Sequence, residues 1–593
     1  MMYNEKVKKT IQEKDMLSIK KTIAEAVVSR VLEMNSSAAL DAKTVEQMLE
    51  YPPDSKMGDL ALPCFKLSKI LRSAPVKIAE GIAEGFSVPA VARAEAVNGY
   101  FNIFLDGSYL AKKAVKETSE KGEKFGSPMC GDGKTVVLDY SSPNVAKPFH
   151  IGHLGTTVIG HSLKMLHEFA GYKCVGINYL GDWGTQFGKL IVAYRKWGSR
   201  QMVEEGGIDT LVDLYVRVNN AISGDAEKGI PADPALADEA RAEFRKMEEG
   251  DEENIALWRW FVEISLAEYK KTYDQLGIEF DSYKGESFYT DKMPAEVQKL
   301  RDMGLLKIDN GASIVDLEEY GMPPCLILKR DGSTLYPTRD IAAAVYRKNT
   351  YDFDKAIYVT SAGQSLHFAQ WFKVVELMGY DFYDKLVHVP YGTVSINGAK
   401  LATRTGNVIL LRDLFATAIE KVAGIMEEKN PNLEGKEKIA EQIGVGAVVF
   451  YYLSNNRIRD INFVMDEALS FDGNTGPYVQ YTYARTCSVL SKGGEINRDA
   501  PIKVTSPEEA DLAKTILRFE ENVTDAINTY EPSVITRYIL DVAGAYNRFY
   551  HNCSILGAES DEIRNTRLAL TEAAKTVLGN AFGLICLAKT EKV

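Results

Sequence analysis

The chain has 593 residues, 45% apolar and 26% charged, with a formal net charge of −12. That composition is typical of a folded soluble protein, and the charge speaks against indiscriminate binding to polyanions while leaving room for a local basic surface. The length predicts about three or four domains; no apolar run reaches the roughly eighteen residues of a membrane span, and seven cysteines scattered without a CxxC pair exclude a zinc ribbon or a disulfide framework.

The N-terminal stretch MMYNEKVKKTIQEKD lacks an apolar signal core, so a cytoplasmic protein is expected. Ile19, Ile23, Val27 and Val31 then recur every four residues, which predicts an amphipathic helix. The first thirty residues carry seven bases against four acids, a surface for phosphate or a merely solvated face. The turn-rich PPDSKMGDLALP and short apolar runs ending in GYFNIFLD predict a small α+β domain over 1–122, with KGEKFGSPMCGDGK as the linker.

TVVLDY is a β-branched run expected to form a buried parallel strand, followed by a loop and the helical pattern LGTTVIGHSLKMLHEFAG. CVGINYLGD, IYVTSAGQ and LVHVPYGTV repeat the strand-then-loop arrangement, which predicts a doubly wound, Rossmann-like parallel sheet over 123–465. A polar, helical insertion is expected at about 205–275; within it, residues 225–254 hold eleven acids against four bases. From 466 to 593 strands are not expected, and Ile535, Ile539, Val542, Tyr546 and Phe549 step by four and three in what reads as an all-α bundle.

VVLDYSSPNVAKPFHIGHLG (136–155) places two of the seven histidines, His150 and His153, between a strand and a helix. A metal pair would need further ligands, and neither HExxH nor a cysteine cluster is present. Buried structural histidines are the bland alternative. The helix N-terminus, with unpaired N–H groups and a favourable dipole, points to an anion instead. Gly152 and Gly155 would let a base or phosphate approach the backbone. The segment GDGKT is no P-loop, because Pro128 stands where the first glycine belongs and a strand follows it.

SSPNVAKPFHIGH resembles the signature of the arginyl-tRNA synthetases, class I enzymes carrying the HIGH tetrapeptide, here His150 to His153. NYLGDWGTQFGKL (178–190) matches a second stretch of that family. GAKLATRTGNVI (398–409) resembles its KMSKS loop, with leucine for methionine, alanine for serine and Arg404 for the second lysine. The resemblance implies ATP-dependent attachment of L-arginine to its tRNA through arginyl-adenylate, with release of AMP and pyrophosphate. It implies catalytic roles for His150, His153, Lys147, Lys400 and Arg404, Lys147 standing in for the degenerate loop. ATP would meet His150, Gly152, His153, Gly155 and Lys400.

Arginine would be held by Asp139, Asn144, Tyr336, Asp340 and Gln364: two anions for the planar, five-donor guanidinium, an aromatic hydroxyl, and amides for the α-amino and carboxylate groups. Each of these also has a structural alternative: Asp139 ends a strand and Asp340 could cap a helix. The resemblance further implies an N-terminal domain meeting the tRNA D-loop through Asn98 and Phe101, and a C-terminal anticodon-binding bundle in which Tyr478, Tyr481 and Tyr483 could stack on bases or simply form core. Partners are thus tRNA for arginine, L-arginine and ATP with Mg²⁺, without zinc, membrane or a metal ligated by the protein, and with a monomeric chain. A cysteine-type synthetase, a small HxGH nucleotidylyltransferase and a non-catalytic RNA-binding relative are the rivals. They would call, respectively, for a zinc cluster, for no KMSKS-like loop or helical C-terminal domain, and for loss of HIGH or the pocket acids.

Overall fold

The computed structural model describes residues 15–224, 231–396, 398–400 and 409–593. The first helix, Asp15–Met34, turns Ile19, Ile23, Val27 and Val31 into the core as its period requires. It shares that core with an antiparallel sheet of β1 (Leu60–Pro63), β2 (Val91–Val97) and β3 (Tyr100–Leu105), in the order β1-β3-β2. Lys20 does not belong to a free basic surface: it is buried, ion-paired with Glu521 and set 4.2 Å over the Tyr51 ring. The bases before residue 15 lie outside the described residues.

The four strand-like runs form one parallel sheet. β4 (Thr135–Asp139) pairs with β5 (Lys173–Ile177) on one side; β9 (Lys355–Ser361) and β10 (Leu386–Tyr391) extend it on the other, giving the order β10-β9-β4-β5. Val136 and Leu138 face one core and Val137 the other, because helices cover both faces and no side of the strand meets water. The chain winds away from β4 in both directions, so the crevice between the carboxyl ends of β4 and β9 is a topological switch point, where such sheets bind ligands.

Between these strands lie three helices of the insertion, Arg200–Ser223, Ala235–Glu248 and Glu252–Leu276, and a small antiparallel sheet of β6 (Leu306–Asp309), β7 (Ala312–Val315) and β8 (Cys325–Leu328) that sequence periodicity did not reveal. Beyond β10, a third small sheet joins β11 (Val394–Ile396), β12 (Ala399–Lys400) and β13 (Ile461–Phe463). After β13 the described residues are helical, and the Ser533–Asn552 helix buries Ile535, Ile539, Val542, Tyr546 and Phe549 completely. The C-terminal helices pack on the N-terminal unit. The Tyr51 hydroxyl donates to Glu521 at 2.6 Å and Lys514 pairs with Asp59 at 3.0 Å, while Gly107 lies so near Ala510 that a Cβ there would come within 2.7 Å.

The Glu252–Leu276 helix, part of the insertion, also holds the loop after β4. Ser265, Tyr269 and Tyr273 stand four residues apart on one face. Ser265 Oγ accepts the Ala146 N–H at 3.1 Å, the Tyr269 hydroxyl lies 2.8 and 2.7 Å from the carbonyls of Asn144 and Lys147, and the Tyr273 hydroxyl is 2.7 Å from Ser141 Oγ. In this loop Ser141, Ser142 and Ala146 have φ of 70°, 48° and 56°, a left-handed conformation costing about 1 kcal/mol or more at each non-glycine residue. Tyr269→Phe, which leaves two carbonyls without their donor, should lower stability by about 1–2 kcal/mol in urea unfolding with the far-ultraviolet circular dichroism unchanged.

Candidate active site

His150 and His153 cap one another. His153 Nδ1 accepts the His150 N–H at 3.2 Å, and His150 Nδ1 accepts the Gly152 N–H at 3.1 Å. The Ile151 N–H donates to the Ile409 carbonyl at 3.2 Å and the His153 N–H to the His150 carbonyl at 2.8 Å. The N–H groups from His150 to Leu154, leading into the Leu154–Phe169 helix, are therefore occupied and not free for an anion as expected. What the pair offers is different. Burial, with Lys147 nearby, lowers His150 to about 4; burial, with His150 and Lys147 beside it, lowers His153 to about 3. Both rings are neutral at pH 7, and since each Nδ1 accepts, each proton sits on Nε2 as an uncharged donor.

Gly155 is small for a packing reason. A Cβ there would lie 2.2 Å from the Tyr452 hydroxyl and 3.1 Å from the Tyr391 ring, so the expectation that it opens the backbone to a ligand is also corrected. Lys147 lines a separate small hollow with Gln186, Phe187 and Tyr215, within electrostatic reach of His150 and His153, and burial lowers its ammonium. Lys400 is described by its backbone alone, paired opposite Ser395, and Arg404 lies outside the described residues.

At the switch point a cavity of about 670 Å³ is lined by Asp139, Asn144, Tyr336, Asp340 and Gln364 together with His153. It thus gathers all five residues expected to hold arginine and one of the two histidines. Each has a structural reason for its place. Asn144 bridges to Gly181 of the NYLGD stretch, where a Cβ would strike the Asn144 side chain at 2.1 Å. Tyr336 begins a helix, Tyr336–Tyr351, whose stripe Tyr336, Asp340, Ala343 and Arg347 faces the cavity at steps of four, three and four. Tyr336 is 66% exposed at the rim, and Gln364 ends an exposed 3₁₀ turn, Ala362–Gln364, after β9.

The acids are not free. Asp139, 6% exposed, pairs with Arg347 at 2.8 Å and accepts from Ser142 Oγ at 3.0 Å; burial raises its pKa and Arg347 opposes that. Asp340 lies 2.6 Å from His367 Nε2. A third acid, missed in the sequence, is Glu286, paired with Arg339 at 2.6 Å and raised by burial to about 7. It is held by Asp182, whose carboxylate accepts the Ser287 N–H and hydroxyl at 2.8 and 2.7 Å. GESFYTD gave no local signal for this; Arg347 was missed as well, although its helical register with Asp340, seven residues earlier, is a signal that could have found it.

Of the residues expected at RNA, Asn98 is exposed at a left-handed turn (φ 51°) between β2 and β3. Phe101 is 0% exposed and packed edge-on against Phe86 at 4.9 Å, which corrects the expectation that it meets a base, and Tyr483 is buried against Phe582, the core alternative open to it. Tyr478 is half-buried, its hydroxyl accepting from Asn547 at 2.9 Å. Tyr481, 43% exposed, flanks the Arg485 guanidinium at 5.0 Å with Tyr550 beside it at 4.8 Å, in an open hollow of about 700 Å³ that also includes the C-terminal Val593.

A parallel sheet with HIGH at the head of its first crossover helix, and a ligand cavity at the switch point, defines a class I aminoacyl-tRNA synthetase. The family model described as tRNA synthetases class I (R), catalytic domain, matches residues 115–465. The DALR anticodon binding domain matches 479–593 and the Arginyl tRNA synthetase N terminal domain 17–105. The Arginine–tRNA ligase of Alkaliphilus metalliredigens is 49% identical over 92% of this chain and 96% of its own length; that of Clostridium perfringens is 47% identical over 97% and 100%. The arginyl-tRNA synthetase structure from Thermus thermophilus superposes with a TM-score of 0.81 at 24% identity, covering 97% of this chain and 100% of that one. The chain belongs to the arginyl-tRNA synthetase family.

The histidine values set a pH dependence. An unfolded imidazole binds its proton near 6.5, whereas His150 and His153 do so near 4 and 3 in the fold. The unfolded chain therefore gains protons first as pH falls. Their contribution is complete above pH 6.5 and is lost at up to about 1.4 kcal/mol per pH unit per group on the way down to about 4. Urea midpoints measured from pH 7.5 to 5 should fall, and His153→Asn should make that fall shallower.

Proposed function

We propose that the switch-point cavity holds L-arginine at its Asp340 end and ATP at its His153 end, so that the amino acid's carboxylate can attack the α-phosphate of the nucleotide. The observation that carries this is one continuous hollow lined by both Asp340 and His153. As an arginine–tRNA ligase, the protein attaches L-arginine to its tRNA through arginyl-adenylate, releasing AMP and pyrophosphate. The chemistry needs no covalent enzyme intermediate. Catalysis is positioning plus donors aimed where negative charge grows.

His150 and His153 are read as neutral Nε2–H donors to the phosphate oxygens, and Lys147, Lys400 and Arg404 as the cations that complete the site. Asp340 is the counter-ion of the guanidinium, with the Tyr336 ring at the rim; Asn144, Gln364 and Asp139 serve the α-amino and carboxylate groups. Gly152 and Gly155 belong to the ATP end, Gly155 through packing. Mg²⁺ enters with ATP as part of the substrate. Among the described residues no group of three His, Cys, Asp or Glu side chains could hold a metal, and no resident zinc is proposed.

The domain division is read as 1–122, 123–465 with the insertion at about 205–275, and 466–593. For tRNA, Asn98 is the N-terminal contact, and the Tyr481–Arg485–Tyr550 hollow, with Tyr478 behind it, receives anticodon-loop bases by stacking and cation–π contact. A cytoplasmic monomer is the accompanying reading. Seven unpaired cysteines suit a reducing compartment, and no described helix is long and apolar enough to cross a membrane.

Charging total tRNA with each amino acid in turn tests the substrate, with arginine alone expected to be transferred. His153→Ala should slow adenylate formation by about two orders of magnitude with the fold retained; near-normal turnover by the folded variant would remove the donor role. Asp340→Asn should raise the KM for arginine far more than that for ATP, and equal effects would take Asp340 out of the pocket.

A further inference from the structure

The cavity for a cationic substrate contains a cation of its own. Arg347, three helical turns along the Tyr336–Tyr351 helix from Tyr336, is 1% exposed, yet its guanidinium lines the cavity. It sits among three aromatic rings, with Cζ 5.1 Å from the Tyr179 centroid, 5.6 Å from Tyr358 and 5.9 Å from Tyr289, and its Nη2 is 2.8 Å from Asp139 Oδ2. A cage of tyrosine faces suits a planar guanidinium and fixes its direction. The other Asp139 oxygen accepts from Ser142 Oγ, in the left-handed part of the signature loop.

We propose that Arg347 is a positioning residue of the amino-acid pocket: it holds Asp139 ionised and aimed from the end of β4, and it cancels that charge, so that Asp340 remains the anion offered to the substrate's guanidinium. This rests on the reading of the cavity given above and extends it to a residue that is itself in no contact role with substrate. A buried carboxylate, Asp139, and a partly exposed one, Asp340, lining one cavity would otherwise disfavour each other's ionisation. Supplying Asp139 with a resident guanidinium eases that conflict and leaves Asp340, beside His367, as the acid with no guanidinium of its own. The charged and titratable groups facing Asp139 are Arg347 and Asp340 from the pocket helix, Tyr289 from the Glu286–Tyr289 turn and Tyr358 from β9; Arg347 is the cation among them. Asp340 has instead His367 at 2.6 Å, a partner that can be neutral.

The test is steady-state aminoacylation by the full-length protein from pH 6 to 8, with KM for arginine and for ATP measured separately for wild type, Arg347→Met, Arg347→Lys, Asp139→Asn and the Asp139→Asn/Arg347→Met pair. Wild-type kcat/KM for arginine should show no limb from Asp139 in this range. Arg347→Met should raise the KM for arginine by roughly a hundredfold, leave that for ATP within about threefold, and introduce a limb in which kcat/KM for arginine falls about tenfold per pH unit toward acid as Asp139 takes up its proton. In the double variant that limb should disappear. Should Arg347→Met fail to fold, Arg347→Lys decides: keeping the charge without the flat fork, it should raise the KM for arginine about tenfold and leave that for ATP within about threefold, and placed on Asp139→Asn it should add little to that variant's own effect. Equal changes in both KM values with no new limb, in whichever variants fold, would make Arg347 a plain structural residue and overturn the inference while leaving the substrate assignment intact. Failure of the wild type to charge tRNA with arginine would overturn both.

Discussion

The site depends on a loop held in a conformation it would not adopt alone. Three non-glycine residues, Ser141, Ser142 and Ala146, have left-handed backbones within six positions. The stripe Ser265, Tyr269 and Tyr273 from a helix more than a hundred residues away supplies hydrogen bonds that hold them. Asn178 joins the same network, accepting the Ser142 N–H at 3.2 Å and donating to the Tyr273 hydroxyl at 3.0 Å. The strain is local and the restraint comes from tertiary contacts, an arrangement common where side chains must be aimed rather than merely packed. It sets the direction of Asp139 before the loop and of the histidine pair after it.

Electrostatics divides the cavity. At one end stands His153, with His150 capping it from outside the hollow, both imidazoles uncharged donors whose Nδ1 atoms are spent on the backbone. At the other, Asp139 and Glu286 have resident guanidiniums and Asp340 a histidine. On the reading proposed for this cavity, a cationic substrate would meet acids that are already oriented, with little reorganisation needed. The insertion, read from the sequence as a polar helical segment, has a positioning role through one face of its last helix.

Much of this was legible. The four parallel strands, the amphipathic helices at 15–34 and 533–552 and the helical insertion all follow from periodicity, because burial of one stripe or of both strand faces leaves a regular trace. The five residues expected at arginine came from the resemblance, and they line one hollow. Glu286 was not legible: its position depends on Asp182 gripping the Ser287 N–H and hydroxyl across about a hundred residues of chain. The reading of Phe101 at RNA failed because a motif position does not state which way a ring points, and this ring points inward. Gly155 was read as room for a ligand when the space is taken by Tyr452 and Tyr391.

The amino-acid sequence by itself determined the family, the order of helices and strands and the kinds of group at the site, since these depend on local periodicity and on short runs of side chains. Only the tertiary structure decided the lowered protonation of the histidines, the pairing of Asp139 with Arg347 and the placing of Glu286. Those depend on burial and on neighbours brought from distant parts of the chain, and desolvation and ion pairing act through space.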